Sequence, residues 1–433
     1  MNALTIKKAA PLRGNITLPG DKSISHRAII FSCLSSGKCR ITNICSGEDA
    51  SRTLEIFKHM GVEAEQTGPY DHVIYGKGLK GLTEPASVLY TGNSGTTTRL
   101  MTGLLSAQRF FTVLSGDSSL NTRPMKRVVE PLRLMGATIC GRSDGNFAPL
   151  AITGSQLRGI DYSLTVASAQ IKSCLMLAGL YAEGMTTITE PAQSRDHTER
   201  MLEHLGVPVT RKAASVSIAS AAEIRPEQYE IPGDISSAAF YMVAALIVPG
   251  SEIRLKGIGV NPTRTGCIDI LKKMGGSIEL ENQRSMYGEP VADIIVRSSR
   301  LKATAIGGDL IPRAIDEIPI LAIAAACAEG ATVVSDAAEL RIKESDRIAT
   351  MCSELKKCGI SAREQKDGMI ITGAESLSGG ICQSHGDHRI AMSLAIAGLM
   401  AKTELTVEDC ECINTSFPEF MIKLGQLTAK KSH

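Results

Sequence analysis

The stretch Leu18–Gly37, LPGDKSISHRAIIFSCLSSG, decides how the rest of the chain is read. A Pro-Gly turn leads into Lys22, Ser23, His26 and Arg27, and then directly into an apolar run. A helix that is apolar almost all round must be buried on most sides. The polar residues therefore sit at the opening of a buried helix, where the first backbone N–H groups lack partners and carry partial positive charge. A glycine turn ahead of such an end is a ready anion site. Ser23 and Arg27 are four apart, so on a helix they share a face.

The same pattern returns along the chain. Written under itself from Lys22, Gly92, Ser168, Asp234, Asp316 and Asp387, the sequence opens each segment with capping or small polar residues: GDKSISHR, GNSGTTTR, SAQIKS, GDISSA, DEIPI and GDHRIA. Each opening runs into an Ala/Leu/Met/Ile-rich helix and then a strand, such as KCRITNI, FFTVLSG or SEIRLKG. A second, amphipathic helix follows and in most copies stops at a glycine, as in EIFKHMGVEA, EPLRLMGATI, MLEHLGVPV, DILKKMGGSI and ELKKCGISA. That glycine is the expected left-handed cap. The spacing is far too long for a solenoid repeat, so each copy is an α/β subdomain. Six copies divide into two domains of three, with chain crossings before Gly20 and around Pro232.

With 433 residues, the chain is too long for one ordinary core. A formal charge of +2 argues against non-specific nucleic-acid or membrane-surface binding. The absence of Trp and the scarcity of other aromatics argue against base stacking. The twelve cysteines form no C-x-x-C pair, and Cys33, Cys174 and Cys327 fall in apolar runs, as reduced buried thiols do. The N-terminal stretch has no signal-like apolar core, and IPILAIAAACA from Ile318 is too short to span a bilayer. A soluble cytoplasmic protein is expected.

Each unit start adds side chains to the helix-end charge. Lys22 and Arg27 come from the first; Asn93, Gly95, Thr96 and Arg99 from the second, with Arg123 in LNTRPMKR. Ser168, Gln170 and Lys172 come from the third, then Ser194 and Arg195 from QSRDHTER. LRIKESDR brings Lys343, Glu344 and Arg347, and GDHR brings His388 and Arg389. Lys343 and Arg347 are again four apart. Plainer readings exist for several of these. Asp234, Asp316 and Asp387 suit helix caps, Lys343 and Glu344 a solvated face, and His385 with His388 lacks a carboxylate at ligand spacing. Repetition at the same place in each unit favours one crevice for anionic metabolites. No complete nucleotide fingerprint is present.

In order along the chain, LPGDKSISHR, GNSGTTTR, TRPM, RIKESDR, GDHRIAM and SFPEF resemble the signature segments of the 3-phosphoshikimate 1-carboxyvinyltransferase (EPSP synthase) family, from about Pro11 to Leu424. The resemblance implies an α/β fold of two similar domains, each of three repeated α/β units, of the inside-out α/β barrel type, with the active site in the interdomain cleft. One domain would span 20–233, and the other, discontinuous, 1–19 and 234–433. The implied reaction joins shikimate 3-phosphate to phosphoenolpyruvate and releases phosphate, with no metal or organic cofactor, in a monomer that binds neither nucleic acid nor membrane.

The resemblance also assigns residues. Lys22, Ser23, Arg27, Ser168, Gln170, Ser194, Arg195, Asp316 and Lys343 resemble contacts to shikimate 3-phosphate. Lys22, Gly95, Arg123, Gln170, Arg347 and Arg389 resemble contacts to phosphoenolpyruvate. Asp316 resembles the base that deprotonates the attacking hydroxyl, and Glu344 or Lys22 the group that protonates the methylene carbon. Leu100, Ala169, Glu339 and Thr415 depart from the better-known branch of the family, Thr415 standing where that branch has a lysine. With SRDHTERML, they resemble the second branch, which includes herbicide-tolerant members. The nearest rival, the enolpyruvyl transferase acting on UDP-N-acetylglucosamine, requires a Lys-Asn pair where this chain has Lys22-Ser23, and a cysteine on a loop where SLNTRPM has none. A non-catalytic phospho-ligand sensor is the rival from another class. Retention of both Asp316 and Glu344 argues against it.

Overall fold

Three buried helices stand at the centre of each of two units, and small sheets cover them. The structure is a computed structural model that describes residues 2–225 and 227–428. One unit comprises Gly20–Ile231 with Met286–Glu289; the other comprises Met1–Pro19, Pro232–Ser285 and Pro290–His433. Pro232 and Gly233 fall in the second of these, where the Gly233 amide donates to the Gly257 carbonyl and the Gly259 amide to the Gly233 carbonyl.

In the unit built on Gly20–Ile231, the helices are α1 (Lys22–Leu34), α2 (Glu48–His59), α3 (Gly95–Leu105), α4 (Lys126–Leu134), α5 (Ala169–Gly179) and α6 (His197–His204). Helices α1, α3 and α5 are the apolar ones; every residue of α1 from Ile24 to Leu34 is buried. Each of these three is followed by a strand that forms the heart of a four-stranded sheet. In the first sheet, Ser36–Thr42 lies between Gln228–Glu230, which runs parallel to it, and Asp71–Lys77, which runs antiparallel, with Glu63–Gly68 outermost. The sheets centred on Phe111–Ser115 and Met185–Thr189 repeat this order. Gln228–Glu230 is the last strand before Ile231, so this unit closes on its own first sheet.

The other unit repeats the plan with α7 (Ile235–Ile247), α8 (Gly266–Lys273), α9 (Ile318–Ala326), α10 (Arg347–Lys357), α11 (His388–Gly398) and α12 (Phe420–Thr428). Helices α9 and α11 are buried along their whole length, and α7 nearly so. Arg13–Thr17 pairs parallel with Glu252–Gly259. The sixth sheet has three strands, and the N-terminal strand Ala3–Ile6 supplies its antiparallel member. None of these sheets closes into a barrel among the described residues; helices fill each core.

Side-chain caps open five of the six buried helices. Asp21, Ser94, Ser168, Asp234 and Asp387 accept from the amides of Ile24, Thr97, Ile171, Ser236 and Arg389. The plain cap reading therefore holds for Asp234 and Asp387. It fails for Asp316, because Glu317 occupies the cap position of α9 and makes no side-chain cap bond. The five amphipathic helices end at Gly61, Gly136, Gly206, Gly275 and Gly359, all at positive φ, as the repeat predicted.

Two features of the first core have measurable consequences. Helices α3 and α5 approach so closely at Gly103 that a Cβ there would lie 2.1 Å from the Cys174 carbonyl oxygen. Gly103→Ala is expected to cost about 2 kcal/mol or more in urea unfolding. Gly425→Ala, on α12 with nothing within 4 Å of the added carbon, is expected to be neutral or to stabilise by up to about 1 kcal/mol.

The second feature is His26. Its Nδ1 lies 2.7 Å from the Thr53 hydroxyl, which in turn lies 2.8 Å from that of Thr97. Burial pushes the imidazole from 6.5 down to about 4, so the folded state holds it neutral. The unfolded chain binds the proton first as pH falls. The stability His26 contributes is full above pH 6.5 and lost on the way down to about 4. Between pH 7 and 4.5 the parent is expected to lose about 2–3 kcal/mol more unfolding free energy than His26→Gln. Equal losses would contradict a buried neutral imidazole.

Candidate functional site

The unit starts gather the chemistry-bearing side chains into two clusters, one in each unit. In the first, Lys22 is the opening residue of α1, and its ammonium lies 3.1 Å from Asp49 Oδ2 on α2. Both side chains are part-exposed. Thr97 ties the second helix start to the same point by donating to the Asp49 carbonyl at 3.4 Å.

Arg27 is buried, and its guanidinium is fixed inside the unit. Nε donates to the Thr198 hydroxyl at 2.6 Å, Nη2 to the Ser173 hydroxyl at 2.6 Å and Nη1 to the Ser23 carbonyl at 2.9 Å. The four-residue spacing of Ser23 and Arg27 thus joins a side chain to a backbone carbonyl. Burial lowers the guanidinium to about 10, with Glu199 and Asp21 opposing the shift.

Gly95 opens α3 beside two arginines. A Cβ on it would lie 2.9 Å from Arg99 Nη1 and 3.5 Å from Arg123 Nη1. Arg123 is anchored by Asn93, whose Oδ1 accepts from Nη2 at 2.6 Å. Arg99 donates to Gln170 Oε1 at 2.7 Å, and Gln170 Nε2 donates to Thr96 at 3.0 Å, so the second and third unit starts are linked. Ser168 is occupied in part as the cap of α5. Ser194 is buried and donates to Glu190, and Arg195 beside it is half-buried. Lys172 does not face a ligand site. It is buried between Glu190 and Glu199, 2.7 Å from each.

The second cluster centres on Asp316. Three cations surround its carboxylate: Lys343 Nζ at 3.7 Å, Arg347 Nη1 at 3.6 Å and Arg389 Nη2 at 4.0 Å. Arg389 Nη1 also donates to the Asp316 carbonyl at 2.9 Å. Arg347 is buried and pairs with Glu344 at 2.6 Å and Asp387 at 2.8 Å. Burial alone would lower its basicity, but Asp387 and then Glu344 outweigh burial and raise it. Burial would raise the Asp387 carboxyl, and the Arg347 charge holds it below the usual range.

Lys343 and Arg347 do not share a helix. Lys343 ends a short 3-10 turn, Ala338–Ile342, in an extended conformation, and α10 begins only at Arg347. Both still reach the same carboxylate oxygen of Asp316. His385 pairs with Glu354 rather than with His388. Among the described residues no group of three His, Cys, Asp or Glu side chains is placed to hold a metal ion, and no helix is long and apolar enough to cross a membrane.

Sequence reasoning missed Asp49, Thr198, Ser173 and Glu317. Asp49 carries the faint signal of an acid in the first turn of a helix; the hydroxyls carry none. In chemical terms, the first cluster offers cations, an amide and helix ends to anionic groups. The second offers a part-exposed carboxylate ringed by cations, an arrangement suited to removing a proton from a group bound beside an anion.

Comparison with known proteins agrees with this chemistry. The family model described as EPSP synthase (3-phosphoshikimate 1-carboxyvinyltransferase) matches residues 6–424. A protein of Geobacter metallireducens named 3-phosphoshikimate 1-carboxyvinyltransferase is 56% identical over 430 residues, covering 99% of this chain and 100% of the relative. One of the same name from Geobacter sulfurreducens is 55% identical, with the same coverage. A solved EPSP synthase structure from Acinetobacter baumannii superposes with a TM-score of 0.90 at 46% identity, covering 99% of this chain and 98% of the other. Sequence and fold thus agree from end to end, and the chain belongs to the EPSP synthase family.

Proposed function

We propose that the chain transfers the enolpyruvyl group of phosphoenolpyruvate to the 5-hydroxyl of shikimate 3-phosphate, giving 5-enolpyruvylshikimate 3-phosphate and phosphate, by addition and then elimination. Family membership supports the transferase activity. The observation that carries the mechanism is Asp316, a carboxylate with Lys343, Arg347 and Arg389 all within 4.0 Å.

In this reading the two compact units are the two domains, and both clusters act on one substrate pair. Lys22, Ser23, Arg27, Ser168, Gln170, Ser194, Arg195, Asp316 and Lys343 bind shikimate 3-phosphate. Lys22, Gly95, Arg123, Gln170, Arg347 and Arg389 bind phosphoenolpyruvate. Ser194 now donates to Glu190, so a bond from its hydroxyl to phosphate requires that hydroxyl to turn. Asp316 takes the proton from the attacking oxygen as the C–O bond forms at carbon 2, and carbon 3 receives a proton to become methyl. Lys22, a cation, has that proton to give. Glu344 is ion-paired with Arg347, which suits it to take a proton back from the methyl group as the C–O bond to phosphate breaks. Arginines around the crowded anions offset their repulsion and match phosphate and carboxylate geometry. No cofactor takes part, and the working form is a cytoplasmic monomer.

The direct test is phosphate release from the two substrates. The parent is expected to turn over, and Asp316→Asn to lose about 10²–10⁴-fold in kcat while still binding shikimate 3-phosphate. Normal binding with no turnover by the parent would favour the sensor reading.

Gly95 leaves room beside Arg99 and Arg123, and we propose that glyphosate enters there in place of phosphoenolpyruvate. Gly95→Ala is expected to raise both the KM for phosphoenolpyruvate and the glyphosate concentration for half-inhibition by about tenfold. Unchanged inhibition would end the steric argument.

A further inference from the structure

Glu317 follows Asp316 directly, and its side chain is fully buried. Its neighbours come from three other helix starts. Ser236, in the first turn of α7, donates its hydroxyl to Oε1. Arg264 Nη2, just ahead of α8, and Arg389 Nη1, in the first turn of α11, each lie 3.8 Å from the same oxygen. Arg264 Nη2 also donates to Ser236 at 2.5 Å and lies 3.4 Å from Asp234 Oδ1. One carboxylate therefore faces the openings of the three buried helices of this unit, α7, its own α9 and α11. Its Oε2 makes no hydrogen bond.

A buried carboxylate bonded through only one oxygen is a poor source of stability, because desolvating the charge offsets most of what pairing returns. It does place a buried carboxylate 3.8 Å from Arg389 Nη1. The Nη1 that faces Glu317 is the same nitrogen that donates to the Asp316 carbonyl at 2.9 Å. The guanidinium is thus held from two points, and one of them belongs to the backbone of the residue that carries the mechanism.

We propose that Glu317 is a positioning residue for the transfer: through Arg389 it sets the guanidinium that receives phosphoenolpyruvate and the Asp316 backbone beside it. This rests on the reading of Arg389 and Asp316 given under the proposed function. The role differs from a structural one in what its loss does. A structural Glu317 would lower stability and both substrates' kinetics together. A positioning Glu317 acts on phosphoenolpyruvate.

The test is Glu317→Gln, which keeps shape and removes charge. Its KM for phosphoenolpyruvate is expected to rise about tenfold, with the KM for shikimate 3-phosphate within about twofold of the parent. Its Tm is expected to fall by several degrees, because the buried Arg264 loses a carboxylate partner, so the split between the two KM values decides. Ser236→Ala keeps every charge and removes the hydroxyl donated to Glu317; it is expected to raise the KM for phosphoenolpyruvate by about threefold. Phosphoenolpyruvate kinetics unchanged in both variants, or equal losses for both substrates, would overturn the proposal. Should Glu317→Gln not fold, Ser236→Ala decides alone. A crystal structure of Glu317→Gln separates this claim from the reading it rests on. Loss of the Arg389–Asp316 carbonyl contact supports positioning even if the parent turned over neither substrate, and its retention overturns positioning.

Discussion

Arg347 is the charge on which the second cluster depends. Its guanidinium is 1% exposed and lies 2.6 Å from Glu344, 2.8 Å from Asp387 and 3.6 Å from Asp316. A cation this deep is tolerable only with carboxylates around it, and removing one partner would leave charge buried without compensation. Each carboxylate also has a second duty. Asp387 caps α11, Glu344 lies in the loop ahead of α10, and Asp316 stands just before the cap residue of α9. Fixing Arg347 therefore fixes the openings of three helices relative to one another.

The wider architecture serves the same end. A helix that is apolar on every side packs into a core, and packing leaves only its ends in reach of polar partners. Repeating that helix three times per unit brings helix N-termini, with their partial positive charge, close to the residues just before them in sequence. Small residues set the approach. Gly103 lets α3 meet the backbone of α5, and Gly95 keeps the opening of α3 clear beside Arg99 and Arg123. In the first cluster, hydroxyls of Thr53, Thr97, Ser173 and Thr198 join the helices around His26 and Arg27. The second uses ion pairs for the same purpose.

Much of this was legible in the residues. The polar-then-greasy openings at Lys22, Ser168 and Asp387, and the Leu/Met-Gly stops, carry the local physics of burial and capping, so helices and central strands fall where the repeat puts them. Long-range pairing was not legible. Nothing local says that Ala3–Ile6 completes the sheet of Leu405–Glu408 or that Gln228–Glu230 returns to Ser36–Thr42. At the sites, charged residues announced themselves, but their partners did not. Lys172 reads as a ligand cation until Glu190 and Glu199 are seen beside it. Lys343 and Arg347 read as one helix face, although the chain is extended at Lys343 and the two meet only at Asp316. Spacing along a chain gives a face only when the segment is helical throughout.

The central claim is that side chains take a proton from the attacking oxygen and pass one to and from carbon 3 while fixed cations hold the anions still. The most direct measurement is turnover in deuterated water, with the vinyl group of the product read by NMR. Protonation of carbon 3 by an exchangeable group, followed by loss of a proton from the methyl so formed, places deuterium in the product methylene. Phosphate released with a methylene carrying only the original hydrogens would contradict the account.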